Sequence, residues 1–398
     1  MLRFFSASTN IVNSKRAIAE CIENALAGQS DLNCDLIIIN TAMGHNFKDL
    51  LNEAHRLSPD AQIVGCTAGG IIGKEGPDES MKALGIMAVK GPKEEFAVSA
   101  FESSVISDPY NSIVKLAMDL KNNNPGINFI LLHPSGSTWD YDIIIEGVES
   151  VFGPDVPIVG GISIDSKGVS DFQFFGDKIF EKSALMVGFA DPSIELIDQA
   201  SVGFDIVGNP IEVTSSEKNH LFGLDGKNPW EFLMDKLELP YSTTAMDVSA
   251  VACLAAEIAF EPCKDYDNRF HIVGGFFPEP DGSLLAVKSI PVGTKLWLAR
   301  GNEKKVFEGV DRMMARIQER LNGRKPLAVF HADCAGRGKL LLNRIMKEEI
   351  IHRLQYPICR GEDIPWLGIY GGGEFNQLDG KNKLLLYSSS LYVLVHKK

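Results

Sequence analysis

The 398-residue sequence has no apolar run that approaches the roughly 18 residues a membrane-crossing helix needs. Its N-terminal stretch turns polar at Asn13, Ser14, Lys15 and Arg16, too early for the apolar core of a secretory signal. Cys-x-x-Cys pairs are missing as well. The seven cysteines (Cys21, Cys34, Cys66, Cys253, Cys263, Cys334 and Cys359) are odd in number and widely scattered, which argues against a disulfide framework and a zinc site. Positive charge is in deficit, with 39 Lys and Arg against 52 Asp and Glu, so a net charge of -13 repels polyanions over most of the surface. The densest basic stretches, at 300–305 and 320–325, are interrupted by acids and read as solvated faces. These absences predict a cytoplasmic protein with no nucleic-acid partner and no membrane insertion. No Rossmann glycine fingerprint or phosphate-binding loop occurs, and no His/Asp/Glu spacing suits a metal, so no cofactor is expected. At 45% hydrophobic and 23% charged residues the chain is an ordinary folded protein, long enough for two or three cores at about 150 residues each.

What the sequence does contain is a repeat. An apolar run over 35–40, a turn at Gly44 and a helical stretch over 47–57 lead into Ile63-Val64-Gly65-Cys66-Thr67-Ala68-Gly69-Gly70. The same succession recurs at 128–132, Ser135-Gly136-Ser137, 142–152 and Pro157-Ile158-Val159-Gly160-Gly161. It occurs again at 327–330, Cys334-Ala335-Gly336-Arg337-Gly338, 340–354 and a run ending Gly371-Gly372-Gly373-Glu374. A partial fourth copy is read at His271-Ile272-Val273-Gly274-Gly275, behind the apolar stretch 248–260. Segments rich in strand formers follow each copy, at 83–89, 184–189, 284–290 and 384–395. Strands apolar on both faces and joined through helices predict an α/β architecture, with mixed sheets covered by helices. A period of about 100 residues is too long for a solenoid. The expectation is two tandem, internally repeated α/β domains, 1–200 and 201–398, divided within the polar stretch 198–226. Past that stretch Pro229 suits the first turn of a helix whose apolar spacing runs over 230–237.

These motifs, in this order, resemble the FIST family. The resemblance rests on Ile63-Val64-Gly65-Cys66-Thr67-Ala68-Gly69 and Pro157-Ile158-Val159-Gly160-Gly161 in the first half. In the second it rests on Glu212-Val213-Thr214 with Leu224-Asp225-Gly226, on Cys334-Ala335-Gly336-Arg337-Gly338 and on Gly373-Glu374-Phe375. The resemblance implies tandem N-terminal and C-terminal FIST domains and a small-ligand sensor in intracellular signal transduction, with amino acids or related metabolites as ligands. Such a sensor would act through a downstream signalling partner.

The candidate ligand-binding residues are Arg337, Glu374, Cys334, Gly336, Gly373, Cys66, Thr67 and Ser135. Arg337, at a glycine-rich strand-to-helix turn, has the planar guanidinium that clamps a carboxylate, and Glu374 could hold an ammonium group; an internal salt bridge between the two is the competing reading. Cys66 and Cys334 sit in glycine-flanked turns, either as exposed thiols or as small residues packed at strand ends. His331 near Cys334 allows a cysteine hydrolase or amidase, provided a turn begins between them, because residues three apart on a strand face opposite sides. Ser135, Ser137 and Thr138 offer hydroxyls for helix capping or ligand contact, and His45 and His133 occupy equivalent loops. The glycines that end the apolar runs permit close backbone approach, to a ligand or to a neighbouring strand. No complete catalytic constellation is visible. The expected function is a non-enzymatic sensor of a small polar metabolite, against the alternatives of a Cys334-centred hydrolase and a non-catalytic interaction scaffold. The pocket is expected at the carboxyl ends of strands, where loops 41–46, 134–138 and 332–338 gather.

Overall fold

Strands that are apolar on both faces need cover on both sides, and the chain supplies it in three equivalent units. The computed structural model describes residues 1–101, 108–136, 140–165, 170–258, 266, 268–274, 277–338 and 344–398. The first unit is β1 (Arg3–Thr9), α1 (Ser14–Ala25), β2 (Leu36–Thr41), α2 (Phe47–Leu57), β3 (Gln62–Thr67), the hairpin β4 (Ile71–Gly73) and β5 (Gly76–Asp78), and β6 (Leu84–Lys90). The second repeats the order as β7 (Phe96–Phe101), α3 (Pro109–Asn123), β8 (Phe129–Pro134), α4 (Tyr141–Phe152), β9 (Ile158–Gly161), the hairpin β10 (Phe172–Phe175) and β11 (Lys178–Glu181), and β12 (Ala184–Phe189).

The third unit starts at β13 (Ile194–Val202) and is then interrupted. An insertion follows, made of β14 (Phe204–Glu217), β15 (His220–Leu224), α5 (Pro229–Leu237), α6 (Ala245–Val251), β16 (Cys253–Glu257), β17 (Phe270–Gly274), β18 (Phe277–Pro278), β19 (Leu284–Leu285) and β20 (Lys295–Gly301). The unit resumes with α7 (Glu303–Leu321), β21 (Pro326–Cys334), α8 (Arg344–Cys359), β22 (Trp366–Gly371), the hairpin β23 (Glu374–Leu378) and β24 (Lys381–Leu385), and β25 (Ser388–His396).

Each unit builds a six-stranded mixed sheet in which a parallel pair (β2 and β3, β8 and β9, β21 and β22) is flanked by two antiparallel strands. The hairpins do not stay at home. That of the first unit extends the sheet of the third, beside β22; that of the second extends the first sheet, beside β3; that of the third extends the second, beside β9. The exchange is cyclic and locks the three units together.

Alternate residues of each strand then face two different cores. Leu36 and Ile38 of β2, Phe129 and Leu131 of β8, and Phe330 and Ala332 of β21 meet in one central cluster where the three sheets pack on each other. Ile37 and Ile39, Ile130 and Leu132, and Val329 point outward beneath the helix pairs α1/α2, α3/α4 and α7/α8. Two glycines of the apolar runs serve this packing directly. A Cβ at Gly65 would lie 1.8 Å from the Ile39 carbonyl oxygen, and one at Gly160 (φ +111°) would lie 2.5 Å from that of Leu132, so the third strand approaches the second only because these positions are glycine.

The insertion leaves and re-enters at one point, where the Asn302 N–H donates to the Gly203 carbonyl at 3.0 Å, and it carries its own apolar cluster around Ile211, Leu233 and Leu298. Pro229 occupies the first turn of α5, capped by Asn228, as the sequence predicts. The partial fourth repeat expected at 271–275 is corrected here. β16 and β17 pair antiparallel, and Gly275 lies outside the described residues. A short apolar run ending in glycine cannot by itself distinguish a parallel crossover strand from an antiparallel one. The break expected between residues 200 and 201 falls within β13, which pairs with β25 along its whole length.

Candidate functional site

On the helix-covered face of the third sheet the apolar pattern gives way to polar side chains toward the carboxyl end of β21. Strand register aligns Ser201 of β13, Ser389 of β25, Asp333 of β21 and Tyr370 of β22 in one row, all buried. Arg337, in the turn after β21 and only 2% exposed, lies against this row: its Nη1 donates to the Ser201 carbonyl at 3.4 Å, and its Nε is 3.9 Å from Asp333 Oδ1. His331 Nε2 is 2.9 Å from Ser389 Oγ and 3.7 Å from Asp333 Oδ2. Burial works against a charge on Asp333, but the Arg337 guanidinium and the nearby polar groups of His331 and Ser389 outweigh it and hold the carboxyl below its usual range. Among the described residues, Ser201 Oγ, Asp333 Oδ1, Arg337 Nε and the Tyr370 hydroxyl have no hydrogen-bond partner.

The row continues outward through charged side chains. Lys347 of α8 stands 5.2 Å from the centre of the Tyr370 ring and pairs with Glu79, just beyond β5; the two side chains are 9% and 6% exposed. Both line a cleft of about 690 Å³. One wall is the end of β1, where Ser8 donates to Glu75 and Asn10 to Asp78, each at 3.1 Å. The others are the exchanged hairpin β4–β5 and α8. The cleft exists because that hairpin leaves its own sheet, and its size is that of a small-molecule site.

The remaining expected residues fall into two groups. Cys334 lies on the opposite face of β21 from His331 and is buried; burial, followed by the Glu374 and Asp333 charges, pushes its thiol well up. No turn begins between them, so the His331–Cys334 dyad required by the hydrolase alternative does not form. Glu374 is fully buried and accepts from Ser388 Oγ at 2.6 Å, and burial pushes its carboxyl well above the usual range. The ion-pair partner of Arg337 is Asp333, and among the described residues no salt bridge joins Arg337 to Glu374. Gly336 and Gly373 pack against Tyr387 and Leu386. Arg337, Cys334, Gly336, Glu374 and Gly373 thus share one end of the third sheet.

Thr67, Cys66 and Ser135 gather elsewhere, around Ser163. Ser163 Oγ donates to the Thr67 carbonyl at 2.8 Å, Ser135 bridges Ser163, and its Oγ donates to Asp171 Oδ2 at 2.8 Å. Cys66 Sγ is 3.6 Å from Asn40 Oδ1, and burial raises its pKa. His133 bonds the Gly161 carbonyl and is pushed down to about 4 by burial; His45 bonds Ser14 and the Lys82 carbonyl. Ser137 and Thr138 lie outside the described residues.

The raised Glu374 carboxyl has a thermodynamic consequence. It stays protonated in the fold at pH values where the unfolded chain has lost that proton, so its contribution to stability falls as pH rises through its folded pKa. Glu374→Gln is expected to melt higher than wild type at pH 8 and to lose that advantage near pH 4. Thermal denaturation across pH measures it; a constant difference would mean that ionisation plays no part.

Asp333, Tyr370, Glu79 and Lys347 were not singled out from the sequence. Asp333 carried a signal, a charge within a buried-strand run. Glu79 and Lys347 carried none, because the hairpin exchange that joins them is invisible in local pattern.

Two family models match, the FIST N domain over residues 35–227 and the FIST C domain over 245–377. The chain belongs to the FIST family. FIST domains are sensory domains of signalling proteins. The cleft lies where the FIST N hairpin meets α8 of the FIST C domain. No curated protein matches the sequence. Solved structures that align include a cyanuric acid hydrolase from A. caulinodans, at 6% identity over 100% of both chains with a TM-score of 0.40. A second cyanuric acid hydrolase structure aligns at 8% over 100% of both (TM-score 0.37), and a chorismatase at 9% over 99% of both (TM-score 0.37). Likeness at that level transfers no activity. Among the described residues no helix is long and apolar enough to cross a membrane, and no group of His, Cys, Asp and Glu is arranged to hold a metal ion.

Proposed function

We propose that this FIST protein is a non-catalytic cytoplasmic sensor that binds a small polar metabolite, an amino acid or a related compound, in the cleft between β1, the exchanged hairpin and α8. The observation that carries the reading is the cleft's construction: one wall from each FIST domain, with the Glu79–Lys347 pair across it and the Tyr370, Asp333 and Arg337 row behind. A ligand contacting both walls would alter how α8 sits on the hairpin, which provides a route to a downstream partner protein. The buried, raised thiols of Cys66 and Cys334 favour a sensor over a thiol hydrolase.

A thermal-shift screen of amino acids and small carboxylates tests this on wild type, Lys347→Met and Glu79→Gln. A ligand at 100 times its Kd stabilises by about 2.7 kcal/mol, a rise of several degrees. The expected result is a hit in wild type that both variants lose. A panel with no hit removes the amino-acid class, and a hit retained in both variants moves the site away from the cleft.

A further inference from the structure

The cleft's lining dictates the charge of what it binds, an inference that rests on the cleft being the ligand site. In the other two exchanges the covering helix closes on the hairpin it receives. Phe47 of α2 packs on Phe172 and Phe174 of β10, with ring centres 5.4 and 5.1 Å apart, and Asn382 of β24 donates to Glu149 of α4 at 3.0 Å. The first hairpin meets α8 differently. Gln355 donates to the Gly73 carbonyl at 2.8 Å and Lys347 pairs with Glu79, yet none of the described residues lining the space beside them is aromatic, and about 690 Å³ stays open.

Among the described residues the lining holds four carboxylates, those of Glu75, Asp78, Glu79 and Glu348, and one ammonium, that of Lys347. Lys347 is committed to Glu79. Glu75 and Asp78 are served by neutral donors instead: Ser8 on Glu75, and on Asp78 both Asn10 and the Ser80 N–H, the latter at 2.7 Å. Such donors fix where a carboxylate points without cancelling its charge, and among the described residues neither acid has a cation within ion-pair distance. A cleft lined mainly by one sign of charge focuses its field, drawing cations in and repelling anions. Pro77, half-buried and between the two acids in sequence, offers aliphatic surface for a short methylene chain.

We infer that the ligand is a small aliphatic amine with two cationic groups, a basic amino acid or the diamine of the same chain length, and that Glu75 and Asp78 recognise its charge. An amine with one ammonium gains one such contact. A dicarboxylate gains none and faces like charge around the cleft, which discriminates against it. The Glu79–Lys347 pair sets how α8 stands on the hairpin, so its loss disturbs the site for any ligand. Glu75→Gln and Asp78→Asn instead keep the acceptors that Ser8, Asn10 and the Ser80 N–H use, and remove only the charge.

The test titrates the full chain at pH 7 and constant ionic strength with ornithine, 1,4-diaminobutane, 1-aminobutane and succinate, and follows Tm. Ornithine and 1,4-diaminobutane should raise it saturably and succinate not at all. 1-Aminobutane should bind at least about tenfold more weakly than the diamine, since it forgoes one hydrogen bond to a charged group. Glu75→Gln and Asp78→Asn should each weaken diamine binding by about the same factor. If 1-aminobutane matches the diamine, general attraction to a chain of net charge -13 explains the shift and the inference falls. A diamine shift unchanged in the folded double variant also overturns it. So does the absence of a shift from either dication, and the amino-acid screen then separates the two readings: a hit lost in Glu79→Gln leaves the cleft as the site and refutes only its charge preference, whereas silence throughout refutes both.

Discussion

Residues 1–202 expressed alone are expected to show no cooperative melt, and residues 203–398 likewise, whereas the two fragments produced together should associate into a folded complex. Cutting after Val202 leaves β13 whole, so the failure would not come from a damaged strand. It would come from the hairpin exchange. The isolated first fragment keeps β4 and β5 but not β22, on which they pair; it keeps β9 but not β23, and β13 but not β25. It also bares the inner faces of its sheets. The second fragment supplies Phe330, Leu367, Ile369, Tyr392 and Leu394 to the central cluster, all at most 3% exposed. Their burial is worth on the order of 10 kcal/mol, comparable to the whole stability of an ordinary domain. Circular dichroism melting of each fragment, alone and mixed, checks this. A fragment 1–202 that melts cooperatively on its own would mean that the exchange is decoration rather than structure. The insertion should behave in the opposite way: replacing residues 204–301 by a short glycine linker between Gly203 and Asn302 spares all three parallel pairs, and the remainder should still melt cooperatively at lower temperature.

The contrast reflects what a sequence can express locally. The strand–helix–strand succession at 35–67, 128–161 and 327–371 is written in apolar runs and glycine exits, because each strand must be apolar on both faces and each crossover must be helical. Phe47–Leu57 is read from its spacing alone. The third unit defeats local reading because its first strand, β13, lies a hundred residues before the rest, with a domain-sized insertion between them. The cleft is less legible still. Arg337 stands out as a cation in a glycine-rich turn, but its buried position depends on Ser201, far away on β13. Glu79 and Lys347 meet only because one hairpin crosses into another sheet. Glu374 was legible as a carboxylate after three glycines, yet its burial, which makes the neutral acid the favoured form, depends on the close packing of Ser388 against it.

Arg337→Ala is expected to be the most damaging single substitution in the site, at a cost of about 3–5 kcal/mol and several degrees in Tm, because it strands the buried Asp333 carboxylate. The pH dependence separates this cause from lost packing. In wild type, Asp333 titrates below its unfolded value, so the stability it contributes is present above the unfolded pKa and is lost as pH falls through the folded one. Without the guanidinium, burial prevails and the folded pKa rises above the unfolded value, so the same group now costs stability as pH rises. The deficit of Arg337→Ala should therefore be greatest near pH 8 and shrink toward pH 4. Asp333→Asn in the same chain should restore part of the loss at pH 8, since an amide carries no charge to strand, although the polar groups of His331 and Ser389 beside it would be rearranged. A double-mutant cycle followed by thermal denaturation at both pH values provides the measurement. If the two substitutions add without coupling, or if the deficit is the same at both pH values, the pair holds the row by shape alone and the Arg337 charge has no special part in it. If they couple as expected, the fold maintains a buried charge pair directly behind the cleft, and any ligand that shifts Lys347 from the Tyr370 ring would be felt by that pair through a single intervening side chain.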